Sequence, residues 1–242
     1  MRNGEGMRDE IRKAFKQLSA FFHPSSVIPH PFPISAILLT AGRSRRMGAF
    51  KPLLPFGAQT VIETCINNLL AAQVEEVVVV LGHRAAEVRA RLSDLPIRFA
   101  MNTEVESEMS ASIARGVEAL SSRGEGAVLV ALADQPAVTV QQIESVIAAH
   151  RRTGAQLVVP EWQGRGGHPV LVDLKFRASL LNLDSRRGLR ALFDAHAGEV
   201  LRVPVASPYV ARDMDTWEDY RALHVEIFGV PPPTITPPSW ET

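Results

Sequence analysis

Between about residues 33 and 222 the chain alternates short apolar runs with longer amphipathic stretches. The runs "ISAILLT" (34–40), "EEVVVVL" (75–81), "IRFAM" (97–101), "GAVLVAL" (126–132) and "AQLVVP" (155–160) are rich in β-branched residues and carry little polar alternation. That pattern predicts strands covered on both faces. Residues 60–72, 84–92, 110–120 and 139–152 place apolar side chains at helical spacing. Strands alternating with helices of this length imply βαβ units with right-handed crossovers, hence a three-layer α/β/α fold around a mainly parallel sheet. Ligands of such sheets lie outside the carboxyl ends of the strands, so whatever follows each strand is where chemistry is to be sought.

The two ends follow other patterns. Ile11, Phe15, Leu18 and Phe22 recur at helical spacing among Arg and Lys, and the stretch stops at "HPSSVIPHPFP". This predicts a short amphipathic helix that packs on the domain or on a partner subunit. The C-terminal "VPPPTITPPSW" is proline-rich and reads as an extended tail. The expected organisation is an N-terminal helix and linker over 1–32, one domain over 33–222 and a Pro-rich tail over 223–242.

Composition narrows the class. The chain has 242 residues, 46% hydrophobic and 21% charged, as ordinary globular proteins do. Lys plus Arg and Asp plus Glu number 26 each, so no global field draws the chain to nucleic acid or to an anionic membrane. A positive site must therefore be local. The single cysteine, Cys65, excludes a disulfide framework and a cysteine-rich zinc site. No apolar run reaches membrane-span length, and the first residues lack the long apolar core of a signal peptide, which makes the cytoplasm the expected location.

Local positive charge stands directly after the first strand, in "TAGRSRRMGAFKPLLPFG". Gly42 and Gly48 permit close backbone approach, Ser44 offers a donor, and Arg43, Arg45, Arg46 and Lys51 suit phosphate oxygens. The spacing matches neither G-x-G-x-x-G nor G-x-x-x-x-G-K-[ST], which excludes a standard dinucleotide site and a standard P-loop. The apolar "PLLPF" that follows is expected to anchor the loop and fix Lys51. "LADQP" puts Asp134 at the carboxyl end of the fourth strand, either as a magnesium ligand or as a cap for the next helix. In "ARDMDTWEDY" the alternation of Asp213 and Asp215 sends both side chains to one face of an extended segment. Thr216 and Asp219 form a capping-box pattern for a helix beginning at Trp217. Asp215 is then either part of that helix entry or a second metal carboxylate.

Taken in order, "LLTAGRSRRMGAFKPLLPFG", "VVVVLGH", "MSASI", "LADQP", "GGHPVL" and "DMDTWEDY" resemble the molybdenum cofactor cytidylyltransferase family, a branch of the NTP-transferase superfamily. The resemblance spans about residues 34–222. It implies a Rossmann-like fold of the nucleotide-diphospho-sugar transferase type. It also implies that Gly42, Ser44, Arg46, Gly48 and Lys51 bind the triphosphate, with Ala41 and Arg43 also in the nucleotide-binding set. In the same pattern Gly82, His83 and Asn102 lie toward base and ribose, Ser110 belongs to the nucleotide-binding set, and Asp134 with Asp215, chosen over Asp213, binds Mg2+. His168 and Pro169 line the acceptor side. The implied reaction is attack by a terminal acceptor phosphate on the α-phosphorus of CTP or another NTP, with Lys51 and Arg46 taking up charge on the departing pyrophosphate.

The implied acceptor is a molybdopterin-type phosphorylated molecule, and the implied recipient is a molybdenum dehydrogenase. Ala41 favours cytidine, whereas Thr40 departs from the family's small residue. Glu108 stands where the family has glycine, and Arg186 of "SRRGLR" where it has aspartate. Two other classes remain open: a transferase acting on a sugar phosphate or other phosphorylated small acceptor, and a non-catalytic protein that delivers a cofactor to a dehydrogenase.

Overall fold

The computed structural model describes residues 32–40, 47, 49–104, 108–122 and 124–233. The expected N-terminal helix and linker, residues 41–46 and 48 of the phosphate-loop motif, and the end of the Pro-rich segment lie outside the described residues. The strands are β1 (Ile34–Leu39), β2 (Pro55–Phe56), β3 (Gln59–Thr60), β4 (Val77–Leu81), β5 (Arg98–Met101), β6 (Ala127–Leu132), β7 (Leu157–Trp162), β8 (Arg165–Gly166), β9 (Val170–Asp173) and β10 (Val200–Pro204). The helices are α1 (Val61–Ala71), α2 (Ala85–Arg91), α3 (Met109–Ala119), α4 (Val140–Thr153), α5 (Arg177–Leu181), α6 (Leu189–Ala195) and α7 (Trp217–Phe228).

The main sheet runs β10-β7-β9-β6-β1-β4-β5, with β8 paired to β7, while β2 and β3 form a separate hairpin. Pairs β6–β1, β1–β4, β4–β5 and β7–β10 are parallel. β9 lies antiparallel between β6 and β7. The sheet is therefore mixed but mostly parallel, as the sequence pattern predicts.

Period-two alternation explains why β1 is buried throughout. Ile34, Ala36 and Leu38 join one core with Ile62, Ile66 and Leu69 of α1, Val88 of α2 and Ile143 and Ile147 of α4. Ile37 and Leu39 join the opposite core with Ile113 and Val117 of α3, Leu180 of α5 and Leu192 of α6. Each strand residue thus meets a helix layer on one side or the other, and the run carries no polar face. Gly116 of α3 lets this packing close up, since a Cβ there would sit 2.6 Å from Ile37 Cγ2.

A third cluster positions the site. Met47, Leu54, Phe56, Val61, Ala137, Met214, Tyr220 and Leu223 bury one another, and Tyr220 donates its hydroxyl proton to the Pro55 carbonyl over 2.6 Å. This small core ties the loop after β1, the loop after β6 and helix α7 into one block. Helix α7 starts at Thr216, whose hydroxyl accepts from Asp219 N over 3.1 Å while Asp219 Oδ2 accepts from Thr216 N over 2.8 Å, the capping box expected from the sequence. The helix continues to Phe228 with Leu223 and His224 buried. The domain boundary expected at 222 therefore falls inside this helix, because residues 223–224 contribute to the core.

Candidate active site

The carboxyl ends of β1 and β6 lie side by side, joined beyond the strands by Ala133 N donating to Leu39 O over 3.0 Å. Two positions beyond β6 stands Asp134. Its main-chain carbonyl accepts from Met214 N over 3.2 Å, which brings the "DMD" segment onto the β6 loop. Met214 is 1% exposed and its side chain enters the third core. In this segment the buried methionine alternates with two carboxylates, as the spacing suggests.

Lys51 opens a single 3-10 turn, Lys51–Leu53, whose end is fixed by Leu54 N donating to Lys51 O over 3.1 Å. Leu54 and Phe56 anchor the far side in the core, which agrees with the expectation for "PLLPF". Lys51 is 8% exposed, and its ammonium donates to Asp215 Oδ1 over 2.8 Å and lies 3.8 Å from Asp134 Oδ2. Three segments far apart in sequence thus meet around one cation.

Negative charge exceeds positive charge among these groups. Burial, then the neighbouring charge of Asp213, push the Asp134 carboxyl up to about 6; Asp215 adds to this and Lys51 opposes it. Asp213 is exposed and accepts from Gln135 Nε2 over 2.8 Å. Among the described residues no three His, Cys, Asp or Glu side chains gather closely enough to hold a metal alone. The donor set nevertheless fits a hard divalent cation. Its donors are carboxylate oxygens, burial and the neighbouring negative charges disfavour an uncompensated charge on Asp134, and Mg2+ takes one or two carboxylates plus substrate phosphates rather than a full protein cage.

The remaining expected site residues fall as follows. Gly82 and His83 follow β4, and the His83 ring meets Phe50, the neighbour of Lys51, edge-on at 6.2 Å between centroids. Arg84 lies over the same Phe50 ring at 4.8 Å. Asn102 follows β5 and is buried; its Nδ2 donates to Ser112 Oγ over 2.9 Å and its Oδ1 accepts from Glu104 N over 3.1 Å. The amide therefore ties the β5 exit to the start of α3, where Ser110 is also buried.

His168 and Pro169 stand just before β9, joined by a cis peptide. His168 N donates to Val210 O over 2.7 Å and its Nδ1 donates to Val130 O over 3.1 Å, a bond that leaves the lone pair on Nε2. Burial holds this imidazole below its ordinary pKa and so in the neutral form. Arg186 is exposed, and its main-chain N donates to Asp184 Oδ1 over 3.0 Å.

Two contributors were not singled out from the sequence. Met214 supplies the main-chain bond to Asp134, and Gln135 binds Asp213. The buried place of Met214 was readable from the Asp-Met-Asp alternation. Pairing across 78 positions, from Gln135 to Asp213, has no local signature.

With fold and site described, the relationship to known proteins is direct. The chain belongs to the MobA-like NTP transferase domain family, whose model matches residues 36–200. It is a nucleotidyltransferase by family. It is 30% identical over 199 residues to a Paenarthrobacter nicotinovorans protein named nicotine blue oxidoreductase, covering 78% of this chain and 96% of that one. It is 29% identical over 192 residues to a Mycobacterium tuberculosis protein named probable molybdenum cofactor guanylyltransferase, covering 75% of this chain and 89% of that one.

Among solved structures, Rv0371c from Mycobacterium tuberculosis H37Rv aligns with TM-score 0.71 at 25% identity, covering 80% of this chain and 98% of that one. A second structure of that protein, in complex with manganese, aligns with TM-score 0.64 at 22% identity, covering 79% of this chain and 97% of that one. Among the described residues no helix is long and apolar enough to cross a membrane.

Proposed function

We propose that the protein transfers a nucleoside monophosphate from a nucleoside triphosphate to the terminal phosphate of a molybdopterin-type acceptor, releasing pyrophosphate. CTP is the donor and Mg2+ the metal in this reading. The observation that carries it is the Lys51 ammonium set between Asp134 and Asp215 at the carboxyl rim of the sheet. The relative named as a guanylyltransferase supports the acceptor class. Ala41 in "LTAG" supports cytidine. The manganese complex of the Mycobacterium tuberculosis protein supports a divalent cation.

An oxygen of the acceptor phosphate attacks the α-phosphorus, and the bond from that phosphorus to the oxygen bridging α and β breaks. Attacker and target are both anions, so they must be screened from each other before they meet. Lys51, held by buried packing, offers its ammonium to the leaving pyrophosphate; Arg46 and the amides near Gly42, Ser44 and Gly48 do the same along the triphosphate. A divalent cation held by Asp134 and Asp215 supplies further charge neutralisation when bound. The acceptor phosphate is already ionised at neutral pH, so positioning and electrostatics suffice without a general base. Gly82, His83 and Asn102 serve the base and ribose side, Ser110 also binds the nucleotide, and His168 and Pro169 serve the acceptor side. We further infer that the reaction takes place in the cytoplasm and that the product passes to a molybdenum dehydrogenase.

The test is pyrophosphate release measured with each triphosphate and Mg2+, with and without molybdopterin. Release with CTP that requires molybdopterin is the expected result. Release with GTP in its place would overturn the base assignment, and robust release with a sugar phosphate would overturn the acceptor. Reduction or oxidation of nicotine blue without pyrophosphate release would align the chain with the relative named as an oxidoreductase. No pyrophosphate release with any acceptor would favour a non-catalytic cofactor-delivery protein.

A further inference from the structure

We propose that Gln135 is a positioning residue of the nucleotidyl-transfer site, acting through the carboxylate of Asp213; the proposal rests on the function given above. Gln135 is 6% exposed and directly follows Asp134. Its main-chain N donates to Leu132 O over 3.4 Å, and its Nε2 donates to Asp213 Oδ1 over 2.8 Å. Its Oε1 is buried and has no hydrogen-bond partner among the described residues.

That arrangement is a poor one for stability. A buried amide with an unpaired oxygen carries a desolvation cost that leucine of similar volume would not, and the cavity that it lines is mostly apolar, with Cys65, Leu69, Val138, Ile143 and Pro169 beside one other amide, Asn68. Among the described residues the amide bonds only to an exposed carboxylate that water would solvate equally well. Geometry is what the bond provides. With Oδ1 committed to Gln135, the second oxygen of Asp213 has a defined direction.

Position makes the direction matter. The Asp213–Asp215 segment is joined to the Asp134–Gln135 loop at two points, by Met214 N on Asp134 O and by Gln135 on Asp213. The first fixes the backbone and the second fixes a side chain. The charge of Asp213 is felt at both Asp134 and His168, one on the metal side of the proposed site and one on the acceptor side. Released from Gln135, Asp213 turns toward bulk water and the negative potential offered to a cation beside Asp134 falls. Partners of this kind behind a site typically alter metal affinity or activity about 10- to 100-fold.

The experiment compares the full-length protein with Q135L, D213A and the double variant. Three quantities are measured: pyrophosphate release, affinity for Mn2+ alone by electron paramagnetic resonance, and thermal midpoint. Q135L should lower kcat and weaken Mn2+ binding while the midpoint stays level or rises, and it should add nothing in the D213A background. Wild-type turnover and Mn2+ affinity in Q135L would overturn the proposal. So would losses that multiply in the double variant, or a midpoint that falls in step with activity. If the unaltered protein releases no pyrophosphate with any acceptor, the functional reading fails, and the Mn2+ titration of the same variants still decides whether Gln135 acts through Asp213.

Discussion

The ammonium of Lys51 donates to Asp215 Oδ1 over 2.8 Å, joining residues 164 positions apart in the chain. The lysine side chain is 10% exposed and the aspartate 44%. Removing an ammonium from water is costly, and a half-exposed partner returns only part of that cost. The pair is therefore better explained by where it holds charge than by what it adds to stability. Lys51→Met should reduce pyrophosphate release by about 100-fold or more, as loss of a charge-stabilising donor does elsewhere. Lys51→Arg should not restore it, because a planar guanidinium does not replace a compact ammonium at one fixed point. Initial rates together with the thermal midpoint check this; turnover near that of the unaltered protein in either variant would remove Lys51 from the chemistry.

Asp134 and Asp215 are the carboxylates proposed for the divalent cation. Asp134→Asn should abolish turnover with circular dichroism unchanged, since the strand ladders beside it are built from main-chain groups. Chelation should stop the reaction, and Mg2+ or Mn2+ should restore it. Turnover that survives either treatment, followed as pyrophosphate release, would mean that the metal assignment is wrong.

Glu76 provides a stability test remote from the site. Burial alone would raise its pKa. Hydrogen bonds from Ser121 N (2.8 Å), Arg98 (3.0 Å), Ser121 Oγ (3.0 Å) and Ser35 Oγ (3.2 Å) outweigh that and hold it below its ordinary 4.5. A depressed carboxyl stabilises the fold fully above its unfolded value and loses that contribution as pH falls through the folded one. Glu76→Gln should cost about 1–3 kcal/mol at neutral pH. The gap between variant and parent should close progressively below pH 4.5. Urea unfolding at pH 7 and at pH 3.5 checks both the size and the sign.

Gly167 precedes the acceptor-side His168. A Cβ at this position would lie 1.9 Å from the Val210 carbonyl oxygen, which is backbone and cannot rotate away. Gly167→Ala should destabilise by about 1–3 kcal/mol, the range for overpacked sites. Because His168 N donates to that same carbonyl, activity should fall as well. Thermal melting and turnover measured together test both effects; a variant that melts at the parent's temperature would show that the two segments can part without cost.

Much of this was legible in the chain. Continuous β-branched runs marked β1, β4, β6 and β7, because each is covered by helices on both sides and needs no polar face, whereas β5 ends the sheet with Arg98 and Met101 exposed. The helix starting at Trp217 was readable from Thr216 and Asp219, since a capping box is local. β9 and β10 were not. Val170–Asp173 is four residues long and hidden within a motif read for its chemistry, and Val200–Pro204 is a partly exposed edge strand with no buried run. The insertion of β9 antiparallel between β6 and β7 is a matter of topology that no window of sequence carries.

At the site, Lys51 and Asp134 were named from residue type and position after a strand and Asp215 from the family resemblance, and the structure brings them together. The spacing of Asp213 and Asp215 showed that both leave one face. It did not show that Gln135 would hold one while Lys51 holds the other, because both bonds depend on how distant loops meet.

The most direct measurement is a crystal structure with CTP and Mg2+ bound. The triphosphate should lie against Lys51, with the cation between its phosphate oxygens and the carboxylates of Asp134 and Asp215. Nucleotide bound away from this cleft, with the Lys51–Asp215 pair touching neither phosphate nor cation, would contradict the assignment.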